Sequence, residues 1–149
     1  MQRGSTIRSI LQHKGSEVWW VTPDQLVYEA IEKMAEKGVG ALLVMAGAKV
    51  AGIISERDYA RNVVLKGRSS KQTKVQEIMT SPVIVVTPDH SVDECMTIMT
   101  NHRIRHLPVM QDEKVVGLVS IGDLVRSIIS EQAETIQYLG NYITGKYPS

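Results

Sequence analysis

Two stretches of this chain place a glycine, a serine and an aspartate at one spacing: Gly52-Ile-Ile-Ser55-Glu-Arg-Asp58 and Gly117-Leu-Val-Ser120-Ile-Gly-Asp123. An apolar run precedes each and a helical pattern follows, so each is expected where a strand ends and a helix begins. That placement suits binding rather than bond breaking. Glycine lets a flat ligand approach the backbone. The serine hydroxyl and the free N–H groups of a helix start can hold an anion such as phosphate. An aspartate one turn into the helix can accept two hydrogen bonds from a ribose diol, as acidic residues do in dinucleotide folds. The same pattern has a plainer meaning, because Ser-x-x-Asp is also a capping box that only starts a helix. Both readings stand on the motif alone.

Other candidate chemistry is weaker. Gly38-Val-Gly40 matches part of a dinucleotide fingerprint, but Leu43 stands where the third glycine would be. His102 and His106 have the spacing of helical zinc ligands, yet Pro108 puts His106 on a strand and no third ligand is evident, so no metal is expected. Cys95 lies on an apolar helix face and reads as core. No nucleophile–base set and no carboxylate pair stands out, so the chain is not read as an enzyme.

The elements that position the two motifs come from a duplication. Shifted by 65 residues, the chain matches itself without gaps from Val18/Val83 to Arg61/Arg126, with 17 identities in 44 pairs. Each copy reads as strand, helix, strand, strand, helix. Trp19–Thr22 and Val83–Thr87 are short strands closed by Thr-Pro-Asp. Helices follow with Val27, Ala30, Ile31 and Met34 on one face, and Val92, Cys95, Met96 and Met99 on the other copy's face. Two hairpins come next, Val39–Met45 with Val50–Ser55 and Arg105–Met110 with Val115–Ser120. A last helix starts at each motif serine, and the second continues to a stop expected at Gly140.

Leading segments are related too: Ile7-x-x-Ile10-Leu11 matches Val75-x-x-Ile78-Met79 at a shift of 68. The expected division is residues 1–66 for the first repeat, 67–74 for a linker, 75–139 for the second repeat and 140–149 for a tyrosine-containing tail. Half-domains of this size bury little core alone, so the copies are expected to form one unit with a pseudo-twofold axis. The apolar stretch Gly38–Ile54 is no membrane span, since its counterpart 103–119 carries charges throughout.

Composition narrows the function class. The 149 residues carry 17 Lys+Arg against 16 Asp+Glu, a balance that speaks against a strongly basic nucleic-acid binder. Five basic residues and no acidic one lie between Arg61 and Lys74, which reads as a solvated linker. Phenylalanine is absent, so aliphatics and seven methionines fill the core. One cysteine excludes an internal disulfide and fits a reducing compartment, expected to be the cytoplasm. The polar start, 1–16, lacks the apolar run of a secretory signal.

Thr-Pro-Asp before an amphipathic helix, Arg103-Ile-Arg105-His106-Leu-Pro108, and the duplicated Gly-h-h-Ser-x-x-Asp (h, apolar) together resemble a pair of cystathionine-β-synthase (CBS) domains, a Bateman module, over about Ile7 to Leu139. The resemblance implies an α+β fold of two β-α-β-β-α repeats with adenosine-ligand clefts between them. It also implies a regulatory homodimer that relays ligand occupancy to another protein. The ligands it suggests are AMP, ADP or ATP, with NAD and S-adenosylmethionine sharing the same adenosine half. Carried over to this chain, Asp58 and Asp123 would hold ribose, and Ser55 and Ser120 would lie near phosphate. Thr22 and Thr87 would edge the nucleoside, with Gly52, Ile53, Ile54, Gly117, Leu118 and Val119 around the base. Arg105 and His106 are expected to serve the Asp58 cleft, and Arg57 the Asp123 cleft. The rival reading is an interaction or oligomerisation module that needs no ligand.

Overall fold

A computed structural model describes residues 5–143, with the backbone alone at 138 and 140–143. In chain order it contains α1 (Ile7–Lys14), β1 (Trp20–Val21), α2 (Val27–Lys37), β2 (Ala41–Ala46), β3 (Lys49–Ser55) and α3 (Glu56–Tyr59). A π-helical turn over Ala60–Val64 and a 3-10 turn over Val75–Glu77 lead to α4 (Val92–His102), β4 (His106–Gln111), β5 (Lys114–Ser120) and α5 (Ile121–Ile143). The expected stop at Gly140 is corrected, since α5 continues through it to Ile143. Residues 144–149 of the expected tail lie outside the described residues, as do the side chains of Tyr138 and Tyr142.

The duplication is visible in the register. Hairpin β2–β3 pairs Ala41 with Ser55 through Ala46 with Lys49, and slips between Val44 and Met45. Hairpin β4–β5 pairs His106 with Ser120 through Gln111 with Lys114, and slips between Val109 and Met110, the same point 65 residues on. The helix starts agree as well. Ser91 accepts from the Glu94 N–H at 3.0 Å while Glu94 accepts from the Ser91 N–H at 2.7 Å, the reciprocal box that the sequence predicts.

One expected strand is much reduced. Val83–Thr87 contributes a single parallel bridge, Val86 with Val109, whereas Trp20–Val21 pairs with Leu43 and Val44 as β1. The cause is Pro108. In the first copy the Leu43 N–H donates to the Trp19 carbonyl at 3.2 Å; Pro108 is the counterpart of Leu43 and has no N–H to give. The ladder therefore ends one residue sooner.

The leading segments change places. Helix α1 packs in the second half, where Ile7 and Ile10 join Val92, Cys95, Met99, Leu107 and Leu124 in one core. Val75 and Ile78 join Val27, Met34, Leu42, Val44 and Ile54 in the first half's core. Backbone bonds fix the exchange: Ile7 N–H to His90 O at 3.0 Å and Val92 N–H to Ser5 O at 2.9 Å, matched by Val75 N–H to Gln25 O and Val27 N–H to Thr73 O, both 2.8 Å. Complete burial of one aliphatic side chain stabilises by roughly 1.5–3 kcal/mol, so each half depends on the borrowed piece. A third cluster forms the seam between the halves. Val18, Val50 and Ile53 meet their repeat counterparts Val83, Val115 and Leu118 there, which gives the pair its pseudo-twofold character.

Candidate functional site

Both motif serines cap their helices. The Asp58 N–H donates to Ser55 Oγ at 3.2 Å, and Asp58 Oδ2 accepts from the Ser55 N–H at 2.9 Å. In the second copy the Asp123 N–H donates to Ser120 Oγ at 3.2 Å, and Asp123 Oδ2 accepts from the Ser120 N–H at 2.8 Å. Capping and ligand binding are compatible, because a carboxylate has about four acceptor positions and the box uses one or two.

A cleft of about 390 Å³ opens beside Asp58, a volume suited to a small-molecule ligand. Ile53, Ser55, Arg57 and Asp58 form one wall, Thr80 with Pro82, Val83 and Ile84, and the turn His102–His106, the others. Four arginines (Arg57, Arg61, Arg103 and Arg105) face a single carboxylate. Burial lowers the Arg57 pKa, and the neighbouring Arg61 and Arg105 lower it further against the pull of Asp58. Burial also holds His106 below its ordinary value; Asp123 and Asp58 oppose that effect, while Lys14 and Arg105 add to it. Asp58 Oδ1 accepts from the Thr80 hydroxyl at 3.2 Å. The cleft thus combines one carboxylate held by hydroxyl and amide donors with a concentration of positive charge, a fit for a diol joined to an anion.

The second cleft, about 370 Å³, is built differently. Its walls come from α1 (Ser9, His13, Lys14) and α5 (Asp123, Arg126, Ser130). Asp123 is 7% exposed, and both its oxygens are taken by cations: Lys14 Nζ at 2.7 Å on Oδ2 and Arg126 Nη2 at 2.6 Å on Oδ1. Lys14 Nζ also donates to the Leu118 carbonyl at 2.9 Å. Burial pushes the Asp123 carboxyl up, but the Lys14 ammonium and the Ser120 donors outweigh it and hold the group below its ordinary value.

Several expected placements are corrected. Arg57 lines the Asp58 cleft, where Arg61 and Arg105 are its nearest cationic neighbours. The cleft beside Asp123 draws its cations from α1 and α5 instead. Gly52 and Gly117 do not clear space for a ligand. A Cβ at Gly52 would stand 2.8 Å from Met79 Sδ and from the Thr80 carbonyl, and one at Gly117 would stand 2.6 Å from Leu11 Cδ2. Those neighbours belong to the exchanged segments, so the glycines serve the exchange. Ile54 and Val119 are buried in the two cores, since adjacent strand residues face opposite ways and only Ile53 reaches the Asp58 cleft. Thr22 and Thr87 lie apart from both clefts. The Thr22 hydroxyl bonds Asp24 at 2.7 Å and the Thr87 hydroxyl meets His90 Nδ1 at 3.1 Å, each inside its own turn. Arg105 and His106 do line the Asp58 cleft.

Sequence reasoning missed Lys14, Arg61 and Thr80. A signal for one of them was present, since Arg61 recurs as Arg126 at the shift of 65.

Comparison with known proteins agrees with this architecture. The family model of the CBS domain matches residues 8–65 and 75–130. A mitochondrial CBS domain-containing protein of Arabidopsis thaliana, CBSX3, is 45% identical over 96% of this chain and 74% of its own length. A solved structure of a protein with CBS domains from Burkholderia ambifaria MC40-6 superposes with a TM-score of 0.83 at 56% identity, over 86% of this chain and 96% of that one. The CBS domain pair of protein MJ0100, solved with 5-methylthioadenosine and S-adenosyl-L-methionine, shares the fold at a TM-score of 0.76 and 24% identity, over 87% of this chain and 99% of that one.

Proposed function

The chain belongs to the CBS-domain family as a tandem pair, and from that premise we propose that it is a regulatory module that senses an adenine nucleotide in the Asp58 cleft. The observation that carries this reading is the meeting of Asp58 with Arg57, Arg61, Arg103 and Arg105 in one cavity of about 390 Å³. Asp58 would accept the ribose hydroxyls, Ile53 and Ile84 would flank the base, and the arginines would take the phosphates. AMP, ADP, ATP and NAD all carry that combination; S-adenosylmethionine offers the adenosine without the phosphate. At 24% identity the MJ0100 pair supports the fold, so the ligand class rests on this chain's own residues. Bound nucleotide would favour one arrangement of the two halves, or of a homodimer, by its differential affinity for it, and a partner protein would read that arrangement.

The basic run from Arg61 to Lys74 supports no nucleic-acid role. Arg61 faces the cleft, Arg68 pairs with Glu77, and Lys71 lies 4.7 Å from the Tyr28 ring centre. No helix among the described residues is long and apolar enough to cross a membrane. The single cysteine speaks for a reducing compartment, and the mitochondrial relative shows that this need not be the cytosol.

The second reading, a ligand-independent interaction or oligomerisation module, draws on Val125, Ile129, Ile136 and Leu139, apolar and exposed along α5. Titration calorimetry with AMP, ADP, ATP, NAD and S-adenosylmethionine separates the two. Charge-assisted hydrogen bonds contribute about 1.5–3 kcal/mol, so Asp58→Ala should weaken nucleotide binding roughly 10- to 100-fold. Unchanged affinity with stability lower by about 1 kcal/mol would leave the motif as a cap and favour the second reading.

A further inference from the structure

The two clefts hold equivalent aspartates with different direct partners. Asp58 is met by neutral donors, the Ser55 amide and hydroxyl and the Thr80 hydroxyl. Asp123 is met by two cations, Lys14 and Arg126. These cations differ in how firmly they sit. Arg126 has a side chain 72% exposed and reaches Asp123 from one turn along the same helix, so it can swing toward solvent. Lys14 comes from the exchanged helix α1, whose Ile7, Ile10 and Leu11 are packed into the second core, and its ammonium is held by both Asp123 Oδ2 and the Leu118 carbonyl. The alignment of the leading segments puts Pro82 opposite Lys14, and Pro82 lines the Asp58 cleft without a charge.

We propose that Lys14 is a built-in occupant of the ribose position in the Asp123 cleft, and that it closes this cleft to nucleotides while the Asp58 cleft stays open. A ribose diol can bind Asp123 only by displacing an ammonium that is already paired and hydrogen-bonded, whereas at Asp58 it displaces water or a hydroxyl. Exchange of the leading segments therefore makes the protein a one-site sensor built from a two-site scaffold. This rests on the nucleotide reading of the Asp58 cleft given above, and the test keeps the two apart.

Calorimetric titration with AMP and with ATP is run on four proteins: wild type, Asp58→Ala, Lys14→Met, and the double variant. The expected numbers of sites with wild-type-like affinity are one, none, two and one, since Asp58→Ala keeps its site only with affinity roughly 10- to 100-fold weaker. The site gained on removal of Lys14 should be at least 10-fold tighter than any residual binding there. Binding of one equivalent by Asp58→Ala alone, lost on adding Asp123→Asn, would overturn the proposal, because the Asp123 cleft would be open with Lys14 in place. So would a double variant that folds and binds nothing. If wild type binds nothing and Lys14→Met binds one equivalent, the lysine gate stands and the Asp58 reading fails. Lys14→Gln keeps a donor for the Leu118 carbonyl and replaces the methionine variant should that one not fold.

Discussion

Arg103 and Gly38 end their helices in the same left-handed conformation, at φ of 54° and 67°, one residue past α4 and α2 respectively. Glycine adopts that conformation without cost, whereas a residue with a Cβ is strained by roughly 1–2 kcal/mol. The second copy tolerates the strain at the position that brings a guanidinium to the Asp58 cleft. Arg103→Gly should therefore stabilise the fold by about 1 kcal/mol and weaken nucleotide binding severalfold. Thermal melts and calorimetry read the two effects separately. A less stable variant would mean that contacts of the arginine outweigh its backbone strain.

Protonation of His106 gives a second prediction. Burial holds its pKa below the ordinary 6.5, so the free protein carries it neutral at pH 7. A phosphate in the cleft shifts it upward. Nucleotide binding should take up protons as pH falls toward the His106 pKa, seen as a binding enthalpy that varies with the ionisation enthalpy of the buffer. His106→Gln should abolish that variation; if it persists unchanged, another group is titrating. Without ligand the depressed pKa has the opposite consequence: stability falls as pH drops from 6.5 through the folded value.

Acid stability depends on Asp123. Its carboxyl is held below 3.8 in the folded state, so its contribution is complete above the unfolded value and is lost as pH falls through the folded one. Asp123→Asn should lower stability at pH 7 by about 1–3 kcal/mol and flatten the decline below about pH 4. Denaturant melts from pH 7 to pH 2.5 check both. Parallel curves for the two proteins would mean that Lys14 contributes nothing through this pair.

The two motif glycines should respond unequally to alanine. At Gly52 the new Cβ meets the Thr80 carbonyl, a backbone atom fixed by its bridge with Ile53; at Gly117 it meets only the tip of the Leu11 side chain. Overpacking costs about 1–3 kcal/mol, and Gly52→Ala should lie near the top of that range with Gly117→Ala near the bottom. Chemical denaturation ranks them, and a reversed order would mean that Leu11 yields less readily than the backbone.

Cys95 should be inert in the native state. It is fully buried in the second core, and burial followed by the charge of Glu94 raises its pKa to about 11. Since the thiolate is the reactive form, its alkylation at pH 8 should proceed only as fast as the protein unfolds. A rate independent of denaturant at low concentration would instead show local opening around α4.

Much of this architecture is legible because repetition checks itself. Hairpin ends, helix faces and the Ser-x-x-Asp boxes recur 65 residues apart, so each element is read twice. Partner choice is not legible in that way. The apolar spacing of Ile7, Ile10 and Leu11 marks a buried face, but periodicity does not say which copy buries it, and so does not show that Met79 and Leu11 fill the space beside Gly52 and Gly117. Which cleft Arg57 serves is likewise not legible, because neighbours on a helix point about 100° apart and only the fold shows that Arg57 and Asp58 line one cavity. Ile54 and Val119 needed only the alternation of a strand to be kept out of the cleft.

The exchange of leading segments also bears on how the chain reaches its fold. Ile7 finds its backbone partner at His90, so the second half cannot be finished until more than half of the chain has been brought round on itself. Such long-range closure is slow compared with hairpin formation. Two peptides, one ending and one beginning in the stretch Gly67–Lys74, would each expose an unfilled groove and carry the plug for the other's. They should find one another in solution and form an interlocked pair. Neither should fold by itself.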